Sequence, residues 1–373
     1  MTILHWPQVH AWRLSQHGLS PHFPSQDFVG AARRTGGIQA QVMSAAELAL
    51  CTRVEASSLH AVRAALWQDR TLVKTWAMRG TLHVLPARDL PLYIAARNWQ
   101  HTASWATYFA EFGLSRAQQD TFLLAIPHVL EQKALTRLQL ADAVARHTGV
   151  AHMRDLILSS SWGTPLKPSA YRGELCLGPG QGKAVTFMNP GAWIGKQQPI
   201  EPEQALAEMV RRYLRAYGPA TAEHFAFWWG CRKTLAKELF QSIEEELEEV
   251  EVEGWRASVL RTTLPLIQCV ESAEQIHLLP LFDAYTIGMP RDCEPLLAQA
   301  YRHQVFNRQG WTFAVVLLNG VIQGIWRATS RRAHTLINVN LFSSPTVAIR
   351  QGIAAQAQRL GQLSGRKMVL EYA

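Results

Sequence analysis

Along this chain apolar positions recur first at helical spacing and then at strand spacing, and that succession repeats three times before the grammar changes. In the first stretch the pattern predicts helices over residues 26–34, 45–52 and 59–67. Strand-like runs follow at 72–78 and 81–85, separated by Arg79-Gly80 and closed by Pro86. Three helices and a two-stranded hairpin make a winged helix, assigned to residues 1–115.

The second stretch, 116–200, predicts a helix over 136–147 with Leu138, Leu140, Ala141 and Val144 on one face, then a helix over 153–160. Strands at 173–177 and 183–188 are joined by Gly178-Pro179-Gly180-Gln181-Gly182. The third, 201–270, predicts helices at 204–217, 221–229 and 234–246, then strands at 249–252 and 255–260 about a turn at Glu253-Gly254. Tandem winged helices are the economical description.

Beyond residue 276 strands dominate, at 311–318, 321–328, 335–342 and 367–372, with one helical pattern at 346–360. Asn319-Gly320 between two of them is the signature of a type I′ turn. The expected class is α+β, with a small barrel-like β domain over 271–373. The polar segment 299–310 lacks a period and is expected to be a mobile connection.

At 373 residues the chain exceeds a single typical core, and its 48% apolar content is ample for several. The formal charge is +8. Seven acidic residues fall between Glu244 and Glu253, so leaving them aside raises it to +15. A surplus of that size makes nucleic acid the first partner to consider. The acidic run itself reads as a solvated helix end leading into an edge strand, away from DNA. Cys51, Cys176, Cys231, Cys269 and Cys293 are scattered, with no Cys-x-x-Cys spacing, and read as reduced thiols of a cytoplasmic protein. The longest apolar run, 313–318, is far too short to span a bilayer.

Familiar catalytic constellations fail on inspection. The run from Gly178 to Lys183 resembles a phosphate loop but has Leu177 and Ala184 where glycine and Ser/Thr belong, and it joins two strands. There is no His-Glu-x-x-His, no zinc-spaced cluster, no nucleophile elbow and no dinucleotide fingerprint. Asp283, between Phe282 and Ala284-Tyr285, reads as a turn cap in preference to a catalytic base.

Two features remain. In Gln39-Ala40-Gln41, alternation along an extended segment would send both amides to one side. An amide donates and accepts hydrogen bonds without titrating, so a pair of them can hold a water without acting as a strong base. Basic residues also collect at hairpins and helix starts: Arg33, Arg34, Arg53, Lys74, Arg79, Lys183, Arg232 and Lys233. Together they suggest a phosphate-contacting surface.

On Gly37-Ile38-Gln39-Ala40-Gln41, Met78-Arg79-Gly80-Thr81-Leu82-His83, the run from Leu278 to Tyr285, and Gly324-Ile325-Trp326-Arg327, the chain resembles the AlkZ and YcaQ-like winged-helix DNA glycosylases over nearly its whole length. The resemblance implies removal of alkylated purines, with Gln39 and Gln41 as catalytic residues. Glutamine at the second position, where a related branch has an acid, points to the branch that unhooks interstrand crosslinks. The wing places His83 in the DNA-facing set. Alkylation at N7 or N3 charges the base and makes it a good leaving group, so no general acid is required. No lysine adjoins the glutamines, so strand cleavage through a Schiff base is not expected. The expected partner is damaged duplex DNA, held in an open cleft by a monomer in the cytoplasm or nucleoid, with no metal, nucleotide or other cofactor. A non-catalytic winged-helix regulator and a protein-binding scaffold are the competing readings.

Overall fold

The structure, a computed structural model, describes residues 1–98, 102–131, 133–160, 162–271, 274–307 and 310–372. It forms two compact units. One joins Met1–Arg63 to Val210–Ala373, and the other is the continuous Ala64–Met209. The first cut falls inside the stretch expected as the first module and the second inside the third. The chain therefore leaves its first unit and later returns to complete it.

The discontinuous unit holds two sheets. In the smaller, Leu247–Val252 lies between Trp255–Leu260, antiparallel, and Thr2–Leu4, parallel. The acidic run thus enters a central strand and not the expected edge, because a three-residue strand from the far end of the sequence covers its other side. Val250 and Val252 alternate inward onto Leu4, Val9, Trp12 and Ile267, while Glu249 faces solvent. The expected helix over 234–246 stops at Gln241, where Ser242 closes it by donating to the Leu239 carbonyl at 2.8 Å.

The larger sheet runs Ile276–Leu279, Val315–Leu318, Val321–Ser330, Thr335–Leu341, Met368–Tyr372. It is open, with the first and last strands as edges, so the barrel-like expectation is corrected. The cause is the helix Val347–Ser364, which carries the chain across the sheet and sets the last strand parallel to its neighbour. Gly352 lets that helix approach, since a Cβ there would come within 2.4 Å of Ile276. Asn319 and Gly320 have φ of 52° and 83°, the expected type I′ turn. The 299–310 segment contains a 3-10 turn at Gln299–Tyr301, a helical turn at Arg302–Val305 and a bridge from Phe306 to Thr312; residues 308 and 309 lie outside the described residues.

The continuous unit contains one antiparallel succession: Leu82–Pro86, Leu72–Trp76, Cys176–Gln181, Ala184–Met188, Leu135–Thr136. The helix Arg137–Thr148 starts at a reciprocal cap between Thr136 and Gln139 and ends at left-handed Gly149. It buries Leu140, Ala141 and Val144 against Phe122, Ile126 and Leu156. Leu138, expected on that face, is 53% exposed. No helix among the described residues is long and apolar enough to cross a membrane.

Candidate active site

The glutamines follow the helix Phe28–Arg34. This helix begins two residues later than the pattern predicts, because Gln26 has a φ of +67° and Asp27 caps the first turn by accepting from the Gly30 amide at 2.7 Å. It ends at Thr35, whose hydroxyl donates to the Ala31 carbonyl at 2.8 Å. Gly36 and Gly37 then take φ of 72° and 103°, a left-handed pair that returns the Gly37 amide to the Ala32 carbonyl at 2.8 Å.

This turn is braced from outside. The Tyr217 hydroxyl sits 3.1 Å from the carbonyls of both Thr35 and Ala284. The Trp228 ring lies against the bare Cα of Gly36, where a Cβ would come within 2.6 Å of it. Tyr213, Tyr217 and Trp228 pack together with ring centroids 5.1 to 6.1 Å apart. A backbone held by these two contacts, themselves backed by the packed rings, has little freedom to move the residues that follow.

Those residues are the short strand Ile38–Gln39, then Ala40 and Gln41, then the helix Met43–Cys51. Ile38 and Ala40 are fully buried, the inward half of the expected alternation. Gln39 is 8% exposed, whereas Gln41 lies beyond the strand, in a bend, and is part-exposed. The extended segment therefore covers only the first glutamine, and the bend sets the direction of the second. The carboxylates close to the segment in sequence have structural partners. Asp27 serves the cap, and Glu47 is held by Arg63 through bonds of 2.9 and 2.8 Å.

Of the expected phosphate contacts in this unit, Arg33 and Arg34 are exposed on the last turn before the glutamines, and Arg34 also donates to Gln16 at 2.8 Å. Arg232 and Lys233 are exposed at the start of the helix Lys233–Gln241. Arg53 does not belong with them. It is wholly buried and forks onto Asp283 at 2.8 and 2.6 Å, so it contacts no DNA. Asp283 also caps its own helical turn, accepting from the Tyr285 amide at 2.9 Å, as its flanking residues suggest.

In the continuous unit, Arg79 is part-exposed at its hairpin turn and Lys183 is exposed at the tip of the next hairpin. Lys74 is buried in mid-sheet, paired with Val84 on one side and Leu177 on the other. His83 is also buried. Its Nδ1 lies 3.0 Å from the Thr81 carbonyl, and burial and then Arg79 lower its pKa to about 3, so the ring is neutral. Both are removed from the DNA-facing set: each falls where a strand turns its side chain inward. A cleft of about 870 Å³ on this unit is lined by Leu90, Ile94, Arg172, Asn189, Lys196 and Pro199, and by neither glutamine.

One basic group escaped the sequence reading. Arg327, Arg331 and Arg332 are exposed along the end of the hairpin formed by Val321–Ser330 and Thr335–Leu341, and Arg366 donates to the Arg331 carbonyl at 2.5 Å. Its signal was the Arg331-Arg332 pair between two strand patterns.

The α+β architecture matches a solved DNA glycosylase. AlkZ of Streptomyces sahachiroi is similar with a TM-score of 0.88 across 100% of both chains, at 31% sequence identity. A curated protein of Streptomyces sahachiroi described as an interstrand DNA cross-link repair glycosylase is 36% identical over 330 residues, 86% of this chain and 87% of that one. The profile of the family described as "DNA glycosylase AlkZ-like" matches residues 32–363. The chain belongs to this AlkZ-like family of DNA glycosylases.

Proposed function

We propose that this enzyme hydrolyses the N-glycosidic bond of purines alkylated at N7 or N3, and that it unhooks interstrand crosslinks, with the attacking water held by Gln39 and Gln41. The observation that carries this reading is a braced turn leading into Gln39 and Gln41, while the carboxylates nearest them in sequence are engaged elsewhere. A cationic base leaves without protonation. The protein has then to place water at C1′ and to stabilise an oxocarbenium-like sugar, work that fixed hydrogen-bonding groups perform at roughly 3 kcal/mol each in comparable sites. The description of the Streptomyces sahachiroi relative as a cross-link repair enzyme supports the extension to crosslinks.

The helix-plus-hairpin successions act as winged helices on duplex DNA. Arg33 and Arg34, Arg79, Lys183, Arg232 and Lys233, and the Arg327–Arg332 hairpin supply phosphate contacts, each of which makes affinity fall with salt. A base tethered to the opposite strand cannot swing freely into an enclosed pocket, so an open cleft suits the substrate better than the pocket of a base-flipping enzyme.

The test is release of N7-methylguanine from alkylated duplex by the wild type and by Gln39→Ala and Gln41→Ala, with DNA binding measured in parallel. Release by the wild type, lost in variants that fold and bind, supports the reading. Release that survives both substitutions removes the glutamines from catalysis. Tight binding without release, from methylated and crosslinked duplexes alike, favours the non-catalytic regulator.

A further inference from the structure

Arg359, on the helix Val347–Ser364, grips two neighbouring segments of its unit. Its Nη1 donates to His22 Nε2, and its Nη2 lies 3.5 Å from the Val54 carbonyl oxygen. The two segments are themselves joined: the Phe23 amide donates to the Arg53 carbonyl at 2.8 Å, and the Glu55 amide to the Phe23 carbonyl at 2.9 Å. Arg34 stands on the same segment. Its guanidinium lies over the Phe23 ring, 5.4 Å from the centroid, and donates to the Gln16 amide oxygen at 2.8 Å. Since Arg34 ends the helix that leads to the glutamines, two side chains adjacent in sequence, Phe23 and His22, connect that helix end to Arg359.

The groups that hold these two guanidiniums are neutral. A guanidinium only donates, so His22 Nε2 accepts; burial and then Arg359 lower the His22 pKa to about 4, which keeps the ring uncharged. Arg359 and His22 are both half-buried. An arginine anchored by a carboxylate has its charge largely balanced. One anchored by an imidazole and a carbonyl keeps its charge and has already given up the side-chain freedom that binding an anion would cost. Each anchored Nη carries a second hydrogen, so a phosphate oxygen can be taken without releasing either anchor. The surrounding sequence has the same sign: between Glu294 and Glu371 there is no aspartate or glutamate.

We propose that Arg359, positioned by His22, contacts a backbone phosphate of the duplex that Arg34 also engages. The proposal rests on the reading of this protein as an enzyme that acts on duplex DNA. Phosphates held at Arg34 and at Arg359 would fix the direction in which the duplex passes the helix end that leads to the glutamines. His22 and Arg359 are 337 residues apart, so no local motif reveals the contact.

The experiment measures binding of the full-length protein to an undamaged duplex between about 50 and 300 mM KCl, for the wild type, Arg359→Gln, Arg359→Lys, His22→Asp and Arg350→Gln. The Arg359→Gln slope of log affinity against log salt is expected to shrink by about 0.9, the value for one lost phosphate contact, and Arg359→Lys to keep it. His22→Asp sets a carboxylate against the guanidinium without removing it and should shrink the slope likewise, which keeps the test open if Arg359→Gln does not fold. Arg350→Gln, on the same helix but against the Tyr372 ring, reads the effect of losing any one charge and should leave the slope unchanged. A wild-type slope in folded Arg359→Gln or His22→Asp overturns the contact, as does an equal loss in Arg350→Gln. Thermal stabilisation by inorganic phosphate that Arg359→Gln abolishes while the DNA slope stays unchanged also overturns it, by assigning Arg359 to a free anion. Base release by the wild type is read separately: a slope change in a protein that releases no base leaves the contact standing and removes the catalytic reading.

Discussion

Arg53 and Asp283, 230 residues apart in sequence, meet as a two-pronged ion pair with both side chains wholly shielded from solvent. Arg53 Nη1 also donates to the Ala49 carbonyl at 2.8 Å, and Asp283 also receives the Tyr285 amide, so each charge has partners beyond the pair. Removing one member strands the other in a medium where it cannot be hydrated. Arg53→Ala and Asp283→Asn are each expected to destabilise the protein by about 3–5 kcal/mol, measured by urea unfolding. Arg53→Lys, which keeps the charge but loses the fork, should fall between them and the wild type. An Arg53→Ala protein of unchanged stability and weakened DNA affinity would return Arg53 to the binding surface.

Gly36 has neither the backbone conformation nor the space for a side chain. Gly36→Ala is expected to cost at least about 1–2 kcal/mol for the left-handed φ alone, and more for the approach to Trp228. Because the shifted turn leads straight into Gln39, base release should fall further than DNA affinity does. Tyr217→Phe, which removes only the hydroxyl bracing Thr35, should cost about 1 kcal/mol and give a smaller loss of the same kind. Equal losses in binding and release would show that the turn supports the fold and not the glutamines.

Amides do not titrate. Release of N7-methylguanine under single-turnover conditions is therefore expected to be flat from about pH 6 to pH 9, with no bell. Gln39→Ala or Gln41→Ala should lower the rate on the order of 10²-fold at every pH in that range. A sigmoidal or bell-shaped wild-type profile would reveal a general acid or base and defeat the amide mechanism.

Several histidines are buried and kept neutral. The pKa values of His10, His83 and His277 are each lowered to about 3 by burial and neighbouring positive charge. In the unfolded chain they protonate near 6.5, so between about pH 6.5 and 3 the unfolded state binds more protons than the native one. Their stabilising contribution is complete above pH 6.5 and declines as the pH falls, by up to about 1.4 kcal/mol per unit for each fully buried ring. Unfolding free energies at pH 7.5 and pH 5 should differ accordingly, and His83→Asn should narrow the gap. Stability independent of pH across this interval would mean that these rings are hydrated.

Local elements were legible in the sequence where spacing and capping agree. The helix Arg137–Thr148 has its cap in Thr136 and Gln139, and the Asn319-Gly320 turn has its residues in the preferred order. What escaped depends on distant partners. Nothing near Thr2 shows that it will line up beside Val250, and nothing near Arg53 points to Asp283. Lys74 and His83 have the composition of surface residues, but strand pairing on both sides encloses one and burial neutralises the other. The glutamine pair was visible as a motif; its bracing by Tyr217 and Trp228 was not, since those residues lie some 180 positions away. The open C-terminal sheet differs from a barrel through the single parallel pairing that the long helix imposes.

The return of the chain to its first unit orders events during synthesis. Residues 64–209 emerge as one uninterrupted piece and can fold while the ribosome is still translating. The glutamines emerge before that piece, yet the tyrosine, tryptophan and aspartate that hold their neighbourhood in place are all encoded after it. For most of translation the segment that carries the glutamines is therefore an unfinished surface waiting for its support. Chains interrupted between residues 41 and 283 would carry both glutamines and be unable to complete the scaffold around them.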